Sequence, residues 1–138
     1  MSNTGYFQYN MRAVVHSGIG SIVRIPALLQ GLGARRVLLI SDEGLKNAGV
    51  VDRVAATFDT WQAGSMPTLA GIYTDISPDA GSGTVNDCMA YARSVAADSI
   101  LAVGGGSVLD AAKGVKYGLH HQVLDLSLIH ISEPTRLD

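Results

Sequence analysis

Gly104-Gly105-Gly106-Ser107, with Asp110 three residues further on, is a stretch suited to holding a phosphate. It follows the apolar run Ser99-Ile100-Leu101-Ala102-Val103, which reads as a buried parallel strand. It leads into residues 108–117, where Val108, Leu109, Ala112 and Val115 recur at helical spacing. Glycine lets a backbone turn sharply and lets an anion approach with no Cβ in the way. The free N–H groups of the helix start, and the positive end of its dipole, then face that anion. Strand, glycines and helix in this order predict a phosphate cradle. The same order also serves as a tight strand-to-helix turn that holds no ligand.

Asp42 is the second residue with a chemical task in view. It follows the apolar strand Val37-Leu38-Leu39-Ile40, where a dinucleotide fold places an acid to accept hydrogen bonds from the adenosine ribose. A carboxylate there also repels a 2′-phosphate and so favours NAD over NADP. The alternative is a helix N-cap before Glu43-Gly44-Leu45, since aspartate is a preferred cap. Ser107 has the same two options, a cap or a bond to a phosphate oxygen. Asp110 lies one helical turn in, where the dipole stabilises a carboxylate with or without a ligand, and Lys113 stands in reach at i+3. Lys113 reads as structural, or as a support behind the residues that touch a ligand, and not as catalytic.

The remaining reactive side chains read as structural. His120 and His121 are adjacent, so a regular helix or strand cannot aim both at one metal, and the chain has no HExxH-like or CxxC-like spacing. They read as polar loop residues. Cys88, Trp61 and the methionines suit helix or surface positions.

These residues need a scaffold, and the chain alternates strand and helix signals. Arg12 to His16 is a short strand, followed by a helical stretch from Gly20 to Gln30 that Pro26 interrupts. After the Val37–Ile40 strand, Leu45 to Phe58 reads as a helix weakened at its start by Gly44 and Gly49. Thr68 to Tyr73 is a third strand and Thr84 to Ala97 a further helix. Repeated βα units predict an α/β fold with a doubly wound, mostly parallel, Rossmann-like sheet.

Composition agrees. At 138 residues, 47% hydrophobic and 16% charged, the chain has the make-up of one globular domain. A net charge of −2 offers no basic field for nucleic acid or acidic lipid. No run approaches the length of a membrane helix, and MSNTGYFQYN lacks the features of a signal peptide. A single cysteine cannot form an internal disulfide, which suits a cytoplasmic location. The partners expected are small molecules, with no nucleic acid and no membrane.

The ten residues from Gly104 to Lys113 fit GGGSxxDxAK, which resembles the signature of the iron-dependent (group III) alcohol dehydrogenases. The resemblance runs over roughly residues 12 to 125. His16-Ser17-Gly18-Ile19-Gly20 is similar to that family's FGxG-like turn, and Gly33 to Asp42 to its GAKRxLIVTD strand. Ser77-Pro78-Asp79 takes the place of its NPT turn and is the weakest match. Glycerol dehydrogenases resemble GGGKxxD, dehydroquinate synthases have GGGVxxD, and maleylacetate reductases lack the aspartate, so Ser107 with Asp110 favours the alcohol dehydrogenase branch. The resemblance implies an NAD site made by Asp42, Gly104, Gly105, Gly106, Ser107 and Asp110, the last near the nicotinamide end. It implies hydride transfer with a small alcohol or aldehyde, Fe²⁺ as a Lewis acid, and a homo-oligomer. That family's iron ligands, one aspartate and three histidines, lie in a C-terminal helical domain, and nothing here matches them. Two other readings stay open: a stand-alone nucleotide- or phosphate-binding module, and a polyol or phosphosugar dehydrogenase of the same superfamily.

Leu126-Ser127-Leu128-Ile129-His130-Ile131-Ser132-Glu133-Pro134-Thr135-Arg136 has a different character. It resembles the translation of one reading frame of a transposase end joined to a sequencing-library adapter. A short native amphipathic tail is the other reading. Residues 1–125 are therefore expected to be an incomplete dinucleotide-binding domain, and residues 126–138 a non-native tail, mobile and outside the fold. The truncated piece is expected to lack the metal site and hence catalysis.

Overall fold

Short runs rich in valine, isoleucine and leucine form the strands of this protein: β1 (Ala13–His16), β2 (Arg36–Ile40), β3 (Thr68–Tyr73), β4 (Ser99–Val103) and β5 (Ser127–Ile131). The computed structural model describes residues 13–16, 19–61, 66–76, 82–120 and 127–131. Gly18, the Ser77-Pro78-Asp79 turn and His121 lie outside the described residues. All five strands pair in parallel, in the order β1-β5-β4-β2-β3. The helices are α1 (Ile25–Gly31), α2 (Glu43–Asn47), α3 (Val50–Asp59), α4 (Ser82–Ser94) and α5 (Gly106–His120).

The connections explain the two layers of helix. From β2 the chain steps to β3 on one side, whereas from β4 it steps to β5 on the other. Right-handed crossovers taken in opposite directions put their helices on opposite faces of the sheet. Two cores result. Leu38, Ile40, Ile100 and Ala102 meet Cys88 and Ala92 of α4 and Val108, Ala112 and Val115 of α5. Val37, Leu39, Leu101 and Val103 point the other way, against Ile25 and Leu29 of α1 and Val51 and Val54 of α3. Alternate strand residues thus feed alternate cores, so β4 is buried along its whole length. The doubly wound parallel sheet read from the sequence is the observed one.

Several boundaries differ from expectation for identifiable reasons. The stretch containing Pro26 is a 3₁₀ segment, Ile19–Arg24, running into α1, with Pro26 in the first turn of α1 where no N–H is missed. The single helix expected over 45–58 is two, because Gly49 at φ 85° sends the backbone through a left-handed step between α2 and α3. The helix expected to reach Ala97 ends at Ser94. Ala96 adopts φ 55°, and the Ala97 and Ala96 N–H groups donate back to the Ala92 and Arg93 carbonyls, a Schellman closure.

The largest correction concerns the tail. Residues from Leu126 onward were expected outside the fold, yet Ser127–Ile131 forms β5, between β1 and β4. Leu128 pairs with both Ala13 and Ile100, and Ile131 with both His16 and Val103. The physical reason lies in the composition of Ser127-Leu128-Ile129-His130-Ile131. Branched apolar residues over a strand's length suit a parallel slot covered by helices, whatever the origin of the reading frame.

Candidate functional site

At the centre of the sheet β2 and β4 lie side by side, and their continuations leave on opposite faces. β2 runs into α2 and α3, β4 into α5. Such a divergence opens a crevice beyond the carboxyl ends of the strands, the usual ligand position in open α/β sheets. Here the crevice has a volume of about 540 Å³. Asp42, Glu43 and Gly44 line it after β2, and Asp75 and Ile76 after β3. Gly105, Gly106, Ser107 and Val108 line it after β4.

The two sides differ in charge. On one side stand the carboxylates of Asp42, Glu43 and Asp75. Asp42 has extended backbone, and its Oδ1 accepts from the Leu45 N–H at 2.8 Å, so the side chain does cap α2. Capping and facing the crevice are compatible here, since the capped turn itself lines the crevice. The Thr74 hydroxyl donates to Glu43 Oε2 at 2.7 Å, fastening the chain after β3 to the first turn of α2. On the other side, α5 presents its N-terminus behind the glycines, and the positive end of its dipole faces the acidic wall.

The three glycines have different reasons to be glycine. Gly104 is buried at φ 152°, and a Cβ on it would sit 2.8 Å from Val108 Cγ2 and 3.4 Å from Leu45 Cδ1. The surrounding protein therefore excludes a side chain there. Gly105 and Gly106 lie outside the left-handed region, and a Cβ on either would meet nothing within 4 Å. Neither strain nor crowding from the described protein asks for glycine at these two positions. Their bare backbone forms the crevice wall.

Ser41, the last residue before Asp42, is fully buried beneath this wall. Its hydroxyl donates to the Val103 carbonyl at 2.6 Å, and its N–H donates to the Tyr73 carbonyl at 2.9 Å. Further back, burial, followed by the nearby Cys88, Asp75 and Asp87, raises the Tyr73 phenol above its ordinary range. Burial also pushes the Cys88 thiol up to about 12.

The structure thus brings together Asp42, Gly105, Gly106 and Ser107, with Gly104 packed directly behind them. Asp110 stands apart, exposed on α5 and not on the crevice wall. Sequence reasoning missed Glu43, Asp75, Ile76 and Val108. Glu43 had a signal, its adjacency to Asp42. Asp75 had only its place two residues beyond a strand.

Among the described residues no three side chains of His, Cys, Asp or Glu converge as a metal site needs. No helix among them is long and apolar enough to cross a membrane.

A parallel sheet wound in both directions, with a glycine loop and an acidic strand end at its switch point, defines an α/β protein of the dinucleotide-fold class. Residues 13–136 match the family model of the iron-containing alcohol dehydrogenases, and the chain belongs to that family. It is 35% identical over 98 residues to long-chain-alcohol dehydrogenase 1 of Geobacillus thermodenitrificans, covering 71% of this chain and 24% of that protein. Among solved structures it is similar to a 1,3-propanediol oxidoreductase, with a TM-score of 0.69, 31% identity, and 84% of this chain on 29% of that one. It also resembles the NADH-dependent butanol dehydrogenase A of Thermotoga maritima, with a TM-score of 0.66, 26% identity, and 83% of this chain on 28% of that one. The chain therefore spans 24% to 29% of these relatives.

Proposed function

We propose that residues 1–125, completed by β5, form the NAD(H)-binding part of an alcohol dehydrogenase, incomplete relative to the longer relatives. The observation that carries this reading is the pair Gly105 and Gly106, bare toward a crevice whose opposite wall holds Asp42. A dinucleotide has a diphosphate and ribose hydroxyls a few bonds apart, and the crevice offers matching partners. The loop N–H groups and Ser107 would hold the diphosphate, the Asp42 carboxylate would accept from the adenosine ribose, and Asp110 would lie toward the nicotinamide end. The NADH dependence of the Thermotoga maritima butanol dehydrogenase supports NAD as the cofactor.

Bound NAD(H) supplies the hydride that passes to or from an alcohol or aldehyde carbon. This chain's residues bind and orient that cofactor. The described residues do not fit the family's iron, since no three metal-ligating side chains converge among them. Cytoplasmic location and a homo-oligomeric full-length enzyme belong to the same reading.

Calorimetry with NAD tests it. Gly105→Val places a branched Cβ in the crevice and should abolish NAD binding while circular dichroism stays unchanged. Unchanged affinity in the folded variant overturns the assignment of the loop. Asp42→Gly should raise the affinity for NADP relative to NAD by about tenfold, as expected for losing one charge close to a phosphate. If that ratio does not move, Asp42 is a helix cap alone.

A further inference from the structure

Ser41 has a place in the sheet that neither its sequence context nor the family match assigns. It is fully buried, and it connects the carboxyl ends of three strands. Its N–H reaches the last residue of β3, Tyr73, at 2.9 Å, and its hydroxyl reaches the last residue of β4, Val103, at 2.6 Å. The hydroxyl bond is a side-chain link where the backbone ladder between β2 and β4, which runs from Val37–Ser99 to Ile40–Ala102, has stopped. Each end of that link is one residue from a crevice element. Asp42 follows Ser41, and Gly104 follows Val103. Fixing the Val103 carbonyl fixes the plane of the peptide that enters the glycine loop.

We propose that Ser41 is a positioning residue that sets the spacing between the phosphate-holding loop and the ribose-holding carboxylate. This rests on the NAD reading above. The physical consequence is selective. A ligand that touches only the loop, or only Asp42, finds its partner equally well however the two are spaced. A ligand that spans both gains from their being held apart by the right amount, since ordering them then costs nothing on binding. Ser41 should therefore matter for the dinucleotide and not for its pieces.

The experiment measures three ligands against the 138-residue chain and its Ser41→Ala and Ser41→Thr variants: NAD, inorganic pyrophosphate and adenosine. Calorimetry serves for NAD, and ligand-observed NMR for the two weaker probes. Ser41→Ala should weaken NAD about tenfold, on the scale of one hydrogen bond's net contribution. Pyrophosphate and adenosine should change less than twofold, and Ser41→Thr, which keeps the hydroxyl, should restore NAD affinity. If Ser41→Ala does not fold, Ser41→Cys, close in size and a weaker donor, is read in the same way. Equal weakening of all three ligands would mean that the serine merely stabilises the sheet. Unchanged NAD affinity in a folded variant would also overturn the proposal. An unsubstituted chain that binds none of the three would instead overturn the NAD reading itself.

Discussion

At the scale of single residues, burial decides which groups are reactive. Cys88 is fully buried on the core side of α4, and its thiol is pushed up to about 12 from an ordinary value of 9.0. The nucleophile is the thiolate, so the folded protein should resist iodoacetamide at pH 8 and react only once unfolded. Stability follows the same shift. A pKa raised on folding leaves its contribution intact below about pH 9, the unfolded value. That contribution is lost as pH rises toward about 12, so urea midpoints should fall across this window. Cys88→Ala should flatten the alkaline fall, and fast labelling of native protein at pH 8 would show that the thiol is not held as described. Exposed polar residues were harder to judge from sequence. Asp42 was legible because an acid after an apolar strand has few tasks. Asp75 was not, because only the sheet brings the ends of β2 and β3 together.

At the scale of elements, the strands were more legible than the ends of the helices. A run such as Val37-Leu38-Leu39-Ile40 declares a buried strand by composition alone, since both of its faces are covered. Helix ends depend on single backbone steps, such as φ 85° at Gly49 or φ 55° at Ala96. The latter sits on an alanine, which carries no left-handed signal in sequence. β5 was not expected from the sequence, because the match of residues 126–136 to adapter DNA set them outside the fold. Its place in the sheet gives its deletion a cost. β1 has no other strand partner among the described residues, and β4 has β5 along one whole edge. Removing residues 126–138 should lower the melting temperature by roughly ten degrees or more, because the pairing to both neighbouring strands leaves with it. A melting temperature within a degree or two of the full chain's would place those residues outside the fold after all.

At the scale of the molecule, the sheet and the crevice lie within this chain, whereas a metal-ligand cluster is absent among the described residues. The 138-residue chain supplied with NAD, Fe²⁺ and a primary alcohol should therefore bind the cofactor and produce no NADH at 340 nm above the protein-free rate. Turnover would locate iron ligands in residues not described. The strand order carries a further consequence, for time rather than chemistry. β1 precedes the other described strands in sequence, yet its neighbour β5 follows all of them. Closing so long a loop costs entropy before any contact repays it, and such distant pairings slow folding. On a ribosome β1 emerges before β2, β3 and β4 and stays an unpaired edge until β5 follows them.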